Sequence, residues 1–140
     1  MLKHVLAMFL WAVSLGALAA PGDAIKVVYH MNEPAEHATQ VIRNIRNHLN
    51  ADPKAKIVVV SHASGIDFLM RDAKDKNGNP YEVGVQELMQ RGVEFRVCEY
   101  TLKSRNIDKS KMIDDLKYVP SGVAEVARLQ AQEGYAYLKP

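Results

Sequence analysis

The four consecutive β-branched residues Ile57-Val58-Val59-Val60 constrain this chain more than any other feature. A strand with one wet face alternates apolar and polar residues, whereas a strand apolar at every position must be covered on both faces. Segments on either side repeat the theme. Residues 25–30 (Ile-Lys-Val-Val-Tyr-His) predict a short strand. A helix follows, with Asn32 as its cap, Pro34 in its first turn, and Ala38, Val41, Ile42, Ile45 and Leu49 along one face. Asp52-Pro53 closes it.

Beyond Val60, residues Ile66, Leu69, Met70 and Ala73 suggest a short second helix, and 74–80 form a polar loop with an Asn77-Gly78 turn. Residues 81–90 predict a helix with Val85, Leu88 and Met89 inward, and Gly92 suits a left-handed residue after it. Residues 93–98 alternate strictly, which predicts a third strand with one much wetter face. A helical turn at 101–105 follows, and then an apolar set at Met112, Ile113 and Leu116. A short strand is expected at 118–120, and Ser121 caps a last helix whose inward face is read as Val123, Ala124, Ala127 and Ala131. Gly134 ends that helix before a final strand at 135–138. Strand and helix alternate without internal repeat or linker, which predicts a three-layer α/β/α sandwich around a mostly parallel sheet.

Composition matters most at the N-terminus. Lys3 and His4 precede an uncharged run from Val5 to Ala19 that ends in Ala17-Leu18-Ala19. That run is shorter than the roughly 20 residues a membrane span needs, and its end is the small-x-small pattern signal peptidase accepts. Residues 1–19 are read as a cleaved signal peptide and residues 20–140 as one domain. The protein is therefore expected to be exported, to the periplasm, with no membrane attachment after cleavage. A net charge of +2 forms no basic stripe and gives no reason to invoke nucleic acid. The single cysteine excludes an intramolecular disulfide, a CxxC redox pair and any cysteine-only metal site.

Ligands of open parallel sheets bind outside the carboxyl ends of the strands. Three reactive side chains end the first three predicted strands: His30, His62 and Cys98. Cys98 precedes a helix start, where unpaired N–H groups favour thiolate over thiol, with Lys103 and Arg105 adding positive charge and Glu99 opposing it. The competing reading is an inert cysteine filling space at a strand end. His30 and His62 suit proton donors or acceptors, or together with Cys98 a soft-metal set, and otherwise are ordinary strand-end histidines. His37 and His48 fall on the outer side of the first helix and are expected to be solvated. Ser61 to Gly65 has the composition of an anion-binding turn without a Walker pattern. Tyr135 and Tyr137 are read as core or interface filling.

Around these residues the sequence resembles the exported branch of the DsrE/DsrF-like family. The resemblance rests on Arg91-Gly92-Val93-x-x-x-Val97-Cys98-x-x-x-Leu102-x-x-Arg105, on Val119-Pro120-Ser121-Gly122-Val123-Ala124-Glu125, on Gly134-Tyr135 and on Lys26-Val27-Val28-Tyr29-His30. It implies a flavodoxin-like sandwich with a five-stranded sheet, assembled as a homo-oligomeric trimer or hexamer. In the sulfur-relay members, the cysteine matching Cys98 carries sulfur as a persulfide between a donor and an acceptor protein. Arg105 matches a basic position after that cysteine, whereas Ser104 and Asn106 replace an Arg and a Gly often found there. The expected activity is sulfur handling by a Cys98 thiolate, with His30, His62 and Arg105 assisting and no cofactor. The alternative is a non-catalytic metal or small-ligand binder using His30, His62 and Cys98.

Overall fold

The computed structural model describes residues 22–140; the predicted leader at 1–19 lies outside them. Five strands form one sheet: β1 (Lys26–Met31), β2 (Lys56–Ser61), β3 (Glu94–Cys98), β4 (Lys117–Val119) and β5 (Ala136–Leu138). Their order across the sheet is β4-β3-β2-β1-β5 and every pairing is parallel. All carboxyl ends therefore share one edge. The helices are α1 (Ala38–Ala51), α2 (Tyr81–Gln90), α3 (Glu99–Ser104) and α4 (Gly122–Glu133).

The two faces of the sheet differ. Val27, Tyr29, Met31, Ile57, Val59, Phe95 and Val97 point into a large core completed by α1, α2 and α3. The buried stripe of α1 is Ala38, Val41, Ile42, Ile45 and Leu49, as the spacing predicts. Met112, Ile113 and Leu116 are buried in the same core from irregular chain. On the other face, Val28, Val58 and Val60 form a smaller core with Val126 and Leu129 of α4, with Tyr135 alongside. Arg96 of β3 occupies the rest of that face and forms ion pairs with Glu94 and with Glu125 of α4. Glu125 also accepts from Arg128 at 2.9 Å.

That ion network corrects the expected phase of the last helix. Its buried residues are Gly122, Glu125, Val126 and Leu129, whereas Val123 is 62% exposed. The positions keep helical spacing, but the stripe turns to let Glu125 meet Arg96, and the small alanines fall outside. Ser121 does cap α4, accepting from the Ala124 N–H, and Gly134 ends it with φ +70°. Asn32 does not cap α1. Ala35–His37 forms a 3-10 turn first, and the Asn32 amide oxygen instead accepts from Lys139 Nζ. His48 is half-buried and its Nδ1 hydrogen-bonds the Tyr29 hydroxyl at 2.9 Å, so it is not simply solvated.

The expected second helix is a 3-10 segment, Ala63–Leu69, pressed onto the end of β1. Gly65 explains the contact. A Cβ there would lie 2.1 Å from the Met31 carbonyl oxygen and 2.7 Å from the Asn32 Cα. Backbone cannot yield as a flexible side chain does, so this glycine is required for packing and not for an anion turn. Gly65→Ala is expected to cost about 3 kcal/mol of unfolding free energy, within the usual range for overpacking and at its upper end. Urea denaturation measures this, and an unchanged midpoint would contradict the close approach.

Candidate functional site

Parallel pairing gathers the three strand-end residues. Met31 pairs with Ser61 and Ser61 with Val97, so His62 and Cys98 leave the sheet side by side. His30, His62 and Cys98 share strand parity with Val28, Val60 and Arg96, which puts all of them on the α4 face. The start of α4 closes over this row. A Cβ on Gly122 would sit 3.0 Å from the His62 Cβ and 3.3 Å from the Cys98 Cβ. Cys98 and His62 thus flank one glycine, where even a methyl group would press on both side chains.

Cys98 is buried, with 5% of its residue surface exposed, beneath the α3 and α4 starts. Its Sγ lies 4.0 Å from the Pro120 carbonyl oxygen. Burial alone would push the thiol pKa up. Four donors outweigh it and hold the thiol below the ordinary cysteine value: the Thr101 hydroxyl and the backbone N–H groups of Gly122, Thr101 and Tyr100. The Thr101 hydroxyl is itself oriented. Its oxygen accepts the Ala63 N–H at 3.0 Å, which leaves its proton free to point at sulfur. Ala63 adopts φ +50°, a left-handed conformation costly for alanine, and so presents that N–H under strain.

The cations expected to activate the thiol are engaged elsewhere. Arg105 donates to the Ala63 carbonyl at 3.1 Å and pairs with Asp67 at 2.7 Å, so it braces the strained loop. Lys103 lies over the Tyr100 ring at 5.9 Å. Glu99 pairs with Lys109 at 2.6 Å, which ties its carboxylate to a cation of its own. Neutral hydrogen-bond donors, not neighbouring positive charge, favour the thiolate.

His30 and His62 form a pair. Their Nε2 atoms are 2.6 Å apart and the rings stack at 24°. His30 Nδ1 meets the Tyr137 hydroxyl at 2.7 Å. Both pKa values lie below the ordinary histidine value, first through burial; His62 and Lys139 add to this for His30, and Lys139 for His62. Among the described residues, no group of three His, Cys, Asp or Glu side chains is arranged to hold a metal ion. The metal-ligand reading of His30, His62 and Cys98 therefore finds no assembled set of three among the described residues. A surface depression of about 550 Å³ lies outside α3 against Leu102, Lys103 and Ile107, and Cys98 is not among its lining residues.

Beside the Gly122 amide, two side chains of this site were not expected from the sequence. Thr101 stands three residues after a cysteine that occupies the helix cap, the spacing at which a capping side chain meets the first turn. That spacing was the available signal. Tyr137 had none, since its role depends on β5 pairing with β1.

Thr101→Val removes the hydroxyl at nearly constant volume. The Cys98 alkylation midpoint is expected to rise toward the ordinary cysteine value, with some loss of stability because the Ala63 N–H is orphaned. An unmoved midpoint, read by iodoacetamide kinetics across pH, would mean that the hydroxyl does not favour the thiolate. The histidine pair gives a stability signature. Unfolded histidine takes up its proton near 6.5, and the folded pair does so only at lower pH. The unfolded state therefore binds more protons in that window, so stability is full above about pH 6.5 and falls as pH drops through the folded values. Urea midpoints measured between neutral and mildly acidic pH should show this slope in the protein and a flatter one in a His30→Gln/His62→Gln double variant.

Comparison with known proteins agrees with this architecture. MTH1491 from Methanobacterium thermoautotrophicum, a protein of unknown function, superimposes with a TM-score of 0.73 at 31% identity, over 83% of this chain and 99% of that one. The ychN protein from E. coli shares the fold, with a TM-score of 0.64 at 13% identity over 84% and 97% of the two chains. No curated protein matches the sequence. Residues 22–140 match the profile of the DsrE/DsrF-like family, and the chain belongs to that family.

Proposed function

We propose that this protein handles sulfur, with Cys98 as the atom that accepts and releases it. Family membership supports a sulfur-relay role in general terms. The observation that carries the specific reading is the Cys98 sulfur held among four hydrogen-bond donors, which bring its pKa below the ordinary cysteine value despite burial. A thiolate is the nucleophile for sulfur, and this one needs no resolving cysteine.

The chemistry balances without an added oxidant. The Cys98 thiolate attacks the outer sulfur of a persulfide or thiosulfate donor. A new S–S bond forms at Cys98 as the donor's own bond to that sulfur breaks, and the leaving thiolate or sulfite departs with the electron pair. The donors around Sγ are aimed where negative charge resides before attack, and the half-buried His30–His62 pair stands one glycine away as a proton source or sink. Arg105 contributes by bracing the Ala63 loop rather than by touching sulfur.

The reading includes place and assembly. The protein is exported after cleavage between Ala19 and Ala20, works in the periplasm, and functions as a trimer or hexamer that meets a sulfur donor or acceptor protein. The exposed apolar side chains Tyr100, Val123, Tyr137 and Leu138, all on elements bordering the site, support a surface that contacts protein.

Native mass spectrometry after incubation with thiosulfate or inorganic polysulfide tests both parts. Each chain should gain one sulfur atom, about 32 Da, which Cys98→Ser abolishes and a reducing thiol removes. The particle mass should correspond to a trimer or hexamer. Absence of the adduct with every donor would remove the sulfur-handling reading, and a monomer would remove the assembly.

A further inference from the structure

The contact between His30 and His62 has a geometry that a hydrogen bond alone does not exhaust. Their ring centres lie 4.9 Å apart and their Nε2 atoms 2.6 Å apart. Rings that far apart bring their nitrogens that close only when each Nε2 lies on the line joining the two centres. The ring planes differ by 24°. The directions along which the two Nε2 atoms bind a proton or a metal ion therefore share one axis and meet at one point between the rings.

That axis selects among ions. Among the described residues no third His, Cys, Asp or Glu completes a metal-binding group with these two. Zinc takes four ligands in a tetrahedron, and the pair offers two on opposite sides. Imidazole suits copper, and the closed-shell monovalent ion Cu(I) is satisfied by two nitrogens in line. Charge points the same way. Lys139 acts on both rings, and its ion-pair partner Glu33 on His30, so one added positive charge costs less here than two. We propose that His30 and His62 form a linear two-coordinate site for Cu(I), separate from Cys98. This goes beyond the sulfur-handling reading and does not rest on it.

The ion takes the place of the proton shared between the two Nε2 atoms. Metal–nitrogen bonds of about 2 Å require the rings to part by somewhat more than about 1 Å. His62 is confined where its Cβ and Cδ2 approach Gly122. His30 instead abuts Tyr137, 40% exposed on an edge strand, so His30 and Tyr137 take up most of the movement. Protons balance without release from the neutral pair. With both Nε2 atoms on the metal, each ring carries its one proton on Nδ1. His30 Nδ1 then donates to the Tyr137 oxygen, the kind of outer hydrogen bond that orients a metal-bound histidine. The Cys98 sulfur is a softer ligand, but it is buried and engaged by four donors, whereas both imidazoles are half-buried and open to solvent.

Anaerobic titration with Cu(I) against the chromophoric chelator bicinchoninate measures the site, and X-ray absorption identifies its ligands. The protein should bind one Cu(I) per chain, with two nitrogen neighbours and no sulfur in the absorption spectrum. His62→Gln, checked for folding by circular dichroism, should lose that ion, and an equal concentration of Zn(II) should not displace it from the unmodified protein. A sulfur neighbour, an ion retained in His62→Gln, displacement by Zn(II), or no Cu(I) bound by the folded protein would each overturn the site. None of these measurements uses a sulfur donor, so their failure and the failure of sulfur loading at Cys98 are read separately.

Discussion

Everything distinctive in this molecule depends on two places where backbone touches backbone or Cβ with no side chain between. Gly65 lets the chain after β2 lie on the end of β1, and Gly122 lets the start of α4 lie between His62 and Cys98. The first contact turns the segment so that Ala63 presents its N–H to Thr101. The second brings the Gly122 N–H to the sulfur. Parallel pairing supplies the shared edge, but these approaches convert an edge into a site. Either glycine replaced by a larger residue would separate groups whose chemistry requires contact.

The electrostatic design is economical in charge. The sulfur is favoured as an anion by a hydroxyl and three amides, while Lys103, Arg105 and Lys109 are spent on an aromatic ring, a loop carbonyl with Asp67, and Glu99. Neutral donors fixed in the fold need no reorganisation when the charge on sulfur is attenuated during attack. Full charges appear instead beneath α4, where Arg96 bridges Glu94 and Glu125 and fixes the rotation of the helix that caps the site.

The fold class was legible in the sequence because strand and helix periodicities are local: the β2 run, the α1 stripe and the Tyr81–Gln90 helix follow from spacing alone. Strand order was not, since pairing depends on partners far apart in the chain. The phase of α4 was misjudged because hydrophobicity pointed to Val123 and the alanines, while the deciding contact was an ion pair reaching across from β3. Cys98, His30 and His62 were visible as strand-end residues, and family resemblance singled out Cys98. Their surroundings were hidden. Thr101, Gly122 and Tyr137 act through distances set by tertiary packing, and the expectation that Lys103 and Arg105 would activate the thiol failed because both found nearer partners.

The last strand carries a consequence for folding. Tyr137 reaches a histidine 107 positions earlier, and β5 is short, exposed and paired along β1. The amide that Gly122 offers the sulfur likewise exists only once α4 has packed on the sheet, so part of what lowers the thiol pKa belongs to the folded molecule and not to the strand-end sequence.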